Sequence, residues 1–295
     1  MRVFVIGATG WIGGAITDKF LEESHTVTGL ARSDDAVQRQ SSRGAVPIRG
    51  DLKDSAVICA SAQEADATIY AASAPPDVTQ EALNALVTTL NGSLKPLVYI
   101  SGSSVYGDTG NDGPADEDAP LNPPPSVAWL ITHEQIVRHA AEQGVKGIVV
   151  RGAGILYGRS SGATPEFWLN DTRQYGVARY IGTGTQRWSA VHVDDLASLV
   201  VRAVERAPAG SVFNAVAEAI PLREAALAVA QATGIAGGAL SVSEADIQEE
   251  WGAFFANLLA HNLWLSSSRA ERLLGWHPTA LRFKDDLLHG SYKST

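Results

Sequence analysis

Hydrophobic positions along the first half of the chain switch between two periods. Residues 3–7, VFVIG, form a short β-branched and aromatic run, and from residue 11 to 21 apolar side chains fall at helical intervals, so the chain opens as strand, glycine turn, helix. Strand-like runs recur at 26–31, 46–48, 67–71, 97–101 and 147–151, each separated from the next by helical or loop sequence. Strands alternating with helices predict an α/β fold whose doubly wound parallel sheet is covered on both faces.

Beyond residue 152 the alternation weakens. Residues 167–180, 222–232 and 246–265 read as helices and 212–215 as a strand, while 191–204 looks like one more strand-to-helix unit of the core. This predicts a nucleotide-type domain over 1–151, with 183–210 returning to it, and a smaller substrate-binding cap built from 152–182 and 211–295. Residues 107–125, GDTGNDGPADEDAPLNPPP, are too dense in Gly, Pro and Asp for regular structure, and a loop of this length beside a sheet suits a lid or substrate-facing segment.

Composition narrows the possible functions. With 23 basic against 32 acidic residues and a formal charge of -9, free of long runs of one sign, the chain is not built for nucleic acid or an anionic membrane. No run approaches the roughly 18 apolar residues of a membrane span. Cys59 is the only cysteine, which rules out an intrachain disulfide and paired-Cys zinc spacing and fits a reducing cytoplasm.

The segment GATGWIG sets Gly7, Gly10 and Gly13 at three-residue intervals between the first strand and the first helix, with Thr9, Trp11 and Ile12 in the same turn. Glycines there permit positive φ and let backbone approach a pyrophosphate, which the free N–H groups of the helix N-terminus attract. This is a Rossmann-type dinucleotide signature in its expected context. At the end of the second strand, where an acid would select NAD, the chain has Ala31, Arg32 and Ser33. Arg32 and Ser33 suit the 2′-phosphate of NADP(H), the preferred reading. NAD(H) stays open through Asp34 or Asp35.

GATGWIG, GDL at 50–52, YISGSSVYG at 99–107, RGAGILYG at 151–158, VHVDDLA at 191–197 and SRAERLLGWHP at 268–278 occur in order along the chain. Together they make it resemble the extended short-chain dehydrogenase/reductases, the NAD(P)-dependent epimerase/dehydratase family. The resemblance implies that Asp51 and Leu52 flank the adenine, that Ala71 and Ala72 lie along the ribose and pyrophosphate, and that the backbone around Gly152 to Ile155, Gly154 included, approaches the nicotinamide, with Ser101 a further cofactor-binding candidate. It also implies a homodimer through the helices near 79–94 and 126–141. Arg151 and His192 read as hydrogen-bonded structural residues.

The acid–base half of the family pattern is substituted. Counting from Tyr106 puts the usual Ser/Thr on Gly102, and counting back from Arg151 through Glu134 puts the usual Tyr on Ser126 and the usual Lys on Leu130. No register shift restores them, because residues 108–155 contain no Tyr and their only Lys is Lys146. Ser103, Ser126, His133 and Tyr157 are the candidate replacements. The sequence therefore predicts an atypical NADP(H)-dependent oxidoreductase acting on a small to medium apolar or aromatic molecule, such as an activated carbonyl, enone, imine or quinone. A redox-silent NADP-binding regulator, or an epimerase, isomerase or lyase that retains its nucleotide, are the alternatives.

Overall fold

The computed structural model describes residues 1–293. Its first half is β1 (Arg2–Ile6), α1 (Trp11–Glu22), β2 (Thr26–Ala31), α2 (Asp34–Arg43), β3 (Val46–Arg49), α3 (Ser55–Glu64), β4 (Ala67–Tyr70), α4 (Pro76–Leu90), β5 (Pro96–Gly102), α5 (Trp129–His139) and β6 (Lys146–Gly152). The second half is β7 (Ile155–Tyr157), α6 (Ala163–Tyr175), β8 (Ala178–Ile181), β9 (Arg187–His192), α7 (Val193–Arg206), β10 (Ser211–Ala215), β11 (Glu218–Pro221), α8 (Leu222–Thr233), β12 (Ala239–Val242), α9 (Glu244–Ala260), α10 (Ser268–Leu274) and α11 (Phe283–His289).

Seven strands form one parallel sheet in the order β10-β6-β5-β4-β1-β2-β3. Its central strands are buried on both faces from Val3 in β1 and throughout β4, which is why their sequences are mostly apolar. Val3, Val5 and Ile69 face a core shared with α1 and α7, while Phe4, Ile6 and Tyr70 face one shared with α3 and α4. Strand order reverses between β1 and β4, and such a switch point opens a crevice at the strand C-termini. The fold is thus the Rossmann-like α/β architecture expected from the sequence.

The second half differs from its sequence reading in three places. The helix expected over 167–180 ends at Gly176, which caps α6 in the left-handed region at φ 71°, and 178–181 continue as β8, paired with β12. The expected cap segment 211–215 forms β10, the edge of the main sheet beside β6, so the chain returns to the core once more than its pattern suggests. The long helix expected to 265 ends at Ala260, with an internal kink at Gly252, and residues beyond it bridge to Trp188 and Ala115. The latter contacts also fix the Gly/Pro/Asp loop: the N–H of Thr109 donates to Asn262 O at 3.0 Å, that of Ala115 donates to Trp264 O at 2.9 Å, and Ala115 O accepts from the N–H of Ser266 at 2.9 Å. That loop is stitched to the cap and is no free lid.

Candidate active site

At the switch point, β1 runs into α1 through Gly7, whose φ of 97° no side chain adopts easily and where a Cβ would stand 2.7 Å from Ala71 O. Gly13 is pressed against the carbonyl of Gly7 from the helix side, so strand and helix meet with backbone in contact. No side chain caps α1 at Gly10. The first-turn N–H groups are therefore open to an anion, and the helix dipole favours one.

Around this turn lies a cleft of about 800 Å³. Gly7, Thr9, Gly10, Trp11, Ile12, Arg32, Ser33, Asp51, Leu52, Ala71 and Ala72 all line it, which brings together nearly the whole nucleotide set named from the sequence. The uncapped helix, the glycine turn and the volume fit a dinucleotide. Ser101 and Gly154 lie elsewhere. The Ser101 hydroxyl donates to Glu134 at 2.7 Å inside the core, and Gly154 is packed under Trp188 and Leu263, where a Cβ would lie 2.5 Å from Leu263 Cδ2.

One end of the cleft is basic. A recess of about 510 Å³ is lined by Arg32, Arg49 and Lys53 together with Asp51 and Asp54. Arg49 and Lys53 were not picked out from the sequence, although their positions flanking GDL were a usable signal. Asp34 is paired with Arg49 and Asp35 with Arg39, so each acid that could have bound a ribose hydroxyl already has a cation. Arg32 forms no ion pair among the described residues.

The candidate proton donors scatter. Ser126 is exposed in the short turn before α5, its carbonyl accepting Trp129 Nε1–H at 3.0 Å, and Leu130 is buried in the apolar core. Ser103 is buried in the turn that ends β5. His133 is fully buried, with Nε2 2.9 Å from Pro76 O and Nδ1 3.3 Å from the Tyr99 hydroxyl. In the neutral ring Nε2–H donates and Nδ1 accepts, and burial holds the imidazole below the ordinary histidine range despite the Pro76 bond. Tyr157 is likewise buried, its hydroxyl donating to Leu281 O at 2.7 Å, and burial pushes that phenol well above the usual tyrosine range. Both positions expected to reach a substrate instead spend their polar atoms inside the core.

Beneath the strand ends runs a polar network centred on Arg151, which the sequence marks as a hydrogen-bonded structural residue, and on Glu134, which it leaves without a role. Arg151 on β6 and Glu134 on α5 are about fully buried and paired at 2.6 Å, with Arg151 Nε also donating to Glu134. Arg151 Nη1 donates to the Tyr106 hydroxyl at 2.6 Å, and that hydroxyl donates to Asn214 Oδ1 at 2.9 Å. Asn214 N–H in turn donates to Glu117 in the stitched loop. Burial opposes the Arg151 charge, yet the bonds and charge of Glu134 and the Tyr106 hydroxyl outweigh it and raise its pKa.

Residues 3–215 match the NAD dependent epimerase/dehydratase family, and the chain belongs to it. It is 32% identical to an uncharacterized protein, C2A9.02, of Schizosaccharomyces pombe, over 99% of this chain and 100% of that one. It is 26% identical to the 4-hydroxy-2-methyl-3-oxo-4-farnesyl-3,4-dihydroquinoline-1-oxide ketoreductase of Stigmatella aurantiaca, over 72% of this chain and 67% of that one. Among solved structures, the NAD complex of dTDP-glucose 4,6-dehydratase from Bacillus anthracis superposes with a TM-score of 0.79 at 16% identity, covering 99% of this chain and 96% of that one. No helix among the described residues is long and apolar enough to cross a membrane.

Proposed function

We propose that the protein is an NADP(H)-dependent oxidoreductase that works without the Tyr and Lys of its family, on a small to medium apolar or aromatic molecule such as an activated carbonyl, enone, imine or quinone. The observation that carries this reading is the nucleotide cleft ending at Arg32, in a chain whose two family acid–base positions are an exposed Ser126 and a buried Leu130. Bound NADPH supplies the hydride. Arg32 offers a planar set of donors to a 2′-phosphate, with Lys53 adding positive charge, while the pairing of Asp34 with Arg49 and of Asp35 with Arg39 argues against a ribose-binding acid. The glycine turn and the open N-terminus of α1 hold the pyrophosphate.

Substrates whose carbon is already electrophilic need the least help from a protein acid, which is why an activated acceptor suits this site. Ser103 and Ser126 stay in the reading as hydroxyls that orient such an acceptor; His133 and Tyr157 do not. We also assign the protein to the cytoplasm as a homodimer through α4 and α5. Purified protein should bind NADPH more tightly than NADH, and Arg32→Ser should erase the difference. It should oxidise NADPH with at least one member of a panel of quinones, enones, imines and ketones. Tight binding with no turnover across that panel would remove the oxidoreductase reading and favour a redox-silent NADP-binding regulator, which the missing acid–base pair also suits.

A further inference from the structure

A second pocket lies between the 107–125 loop and the end of α9, and no role has yet been given to it. Its volume is about 290 Å³, and it is walled by Asp108 and Pro123 to Pro125 of the stitched loop and by Leu258 and His261 at the end of α9. Pro125 immediately precedes Ser126, so the pocket borders the place where family members present their Tyr hydroxyl. Pro125 thus joins the pocket wall to the vacated acid position, and a different titratable side chain, His261, stands on the same wall.

The geometry of His261 is fixed by neighbours. Its Nδ1 lies 2.7 Å from Asn257 O, which must be accepted from N–H, and its own carbonyl accepts Trp188 Nε1–H at 3.0 Å. The next residue, Asn262, donates its N–H to Asp108 at 3.2 Å and so ties the two walls together. Nε2 is left as the ring nitrogen without a protein partner among the described residues. His261 is a half-buried imidazole on the pocket wall with Nδ1–H anchored to a carbonyl, and when protonated its ring carries a second N–H, at Nε2, that it can hand to a reacting atom.

We propose that His261 is the proton donor that replaces the missing tyrosine, acting on a small planar carbonyl or quinone seated against the ring faces of Pro123 to Pro125. The inference rests on the oxidoreductase reading. As the acceptor carbon takes up the hydride, the imidazolium form of His261 breaks its Nε2–H bond and an O–H bond forms on the substrate; this leaves the neutral ring with its remaining hydrogen on Nδ1, held by Asn257 O, and Nε2 is reprotonated by a hydronium ion from solvent. The volume sets an upper size of one or two fused rings.

The test uses the full chain with menadione and 2-cyclohexen-1-one as acceptors and 4-nitrophenolate, which carries the oxyanion without being reducible by hydride at that carbon, as a binding probe. His261→Ala should lower kcat about a hundredfold with NADPH affinity unchanged, and added imidazole should restore a measurable part of it. Wild-type protein should bind 4-nitrophenolate without any nucleotide, and His261→Gln should bind it at least tenfold more weakly. If the wild type turns over and His261→Ala keeps its kcat, the donor assignment is overturned while the oxidoreductase reading stands. Equal 4-nitrophenolate binding by wild type and His261→Gln also overturns it. If the wild type reduces neither acceptor nor any other of the panel, the oxidoreductase reading falls and takes the donor with it.

Discussion

At the scale of single residues, the molecule separates polar groups that serve the fold from those left open to a ligand. His133 shows the first kind. It is a titratable residue on the very helix that carries the family's chemistry, yet Pro76 O and the Tyr99 hydroxyl occupy both ring nitrogens and Trp129 packs over it, with ring centroids 5.1 Å apart. Its folded-state pKa is held below the ordinary 6.5, mainly by burial. A depressed histidine contributes stability that is fully present above the unfolded value and is lost as pH falls below 6.5 toward the folded value, because only the unfolded chain takes up the proton over that interval. Urea denaturation from pH 7.5 down to 5 should therefore show the wild type losing more stability than His133→Gln, which has nothing to titrate there. Parallel pH curves for the two would show that His133 is not held neutral by its surroundings. The nucleotide residues were readable for the opposite reason. Gly7, Gly10, Gly13 and Arg32 act through local backbone and a strand end, so spacing along the chain was enough to find them, whereas the burial of His133 depends on α4, fifty-odd residues away.

Between elements, the least expected feature is the polar seam that joins β5, β6, β10 and α5 to the 107–125 loop. Sequence patterns report which face of an element is apolar, and by that measure the main sheet was legible because its central strands are buried on both sides. They say little about pairings such as Glu134 with Arg151 or Asn214 with Glu117, whose partners are 17 and 97 residues apart. The same limit explains why β10 was assigned to the cap: five apolar-rich residues carry no mark of which sheet they will join. A buried ion pair is weak as a source of net stability, but removing one partner strands the other charge in the core. Glu134→Gln should accordingly lower unfolding stability by about 3–5 kcal/mol in chemical denaturation. The double variant Glu134→Gln/Arg151→Met, which also removes the stranded charge, should recover a substantial part of that loss. A double variant no more stable than Glu134→Gln would mean that the cost comes from the hydrogen bonds Glu134 makes to Ser101 and Arg151, not from an unpaired cation.

Considered as a whole, the nucleotide cleft and the second pocket are built from different stretches of chain. The cleft draws only on residues between 6 and 78, at the ends of β1 to β4, and the pocket on the stitched loop and α9. The cleft is tied to the second half of the chain at another place: Trp11 Nε1 donates to Gly158 O at 3.0 Å, and Arg159 joins Asp194 at 2.7 Å while also pairing with Asp18. Because β1, β2 and β4 lie inside a single seven-stranded sheet, the cleft cannot persist once that sheet opens, so a ligand in the cleft binds the folded state alone and stabilises the whole sheet. Nucleotide at a hundred times its dissociation constant adds about 2.7 kcal/mol, which for a chain of this size raises the melting temperature by roughly 5 °C. At equal concentrations NADPH should produce the larger rise and NADH the smaller, with Arg32→Ser bringing the NADPH shift down to the NADH value while leaving the melting temperature without nucleotide unchanged, since Arg32 forms no ion pair among the described residues. Equal shifts for the two nucleotides on the wild type would show that the basic recess around Arg32, Arg49 and Lys53 does not discriminate a 2′-phosphate, and the cofactor preference would have to be given up while the nucleotide site itself remained.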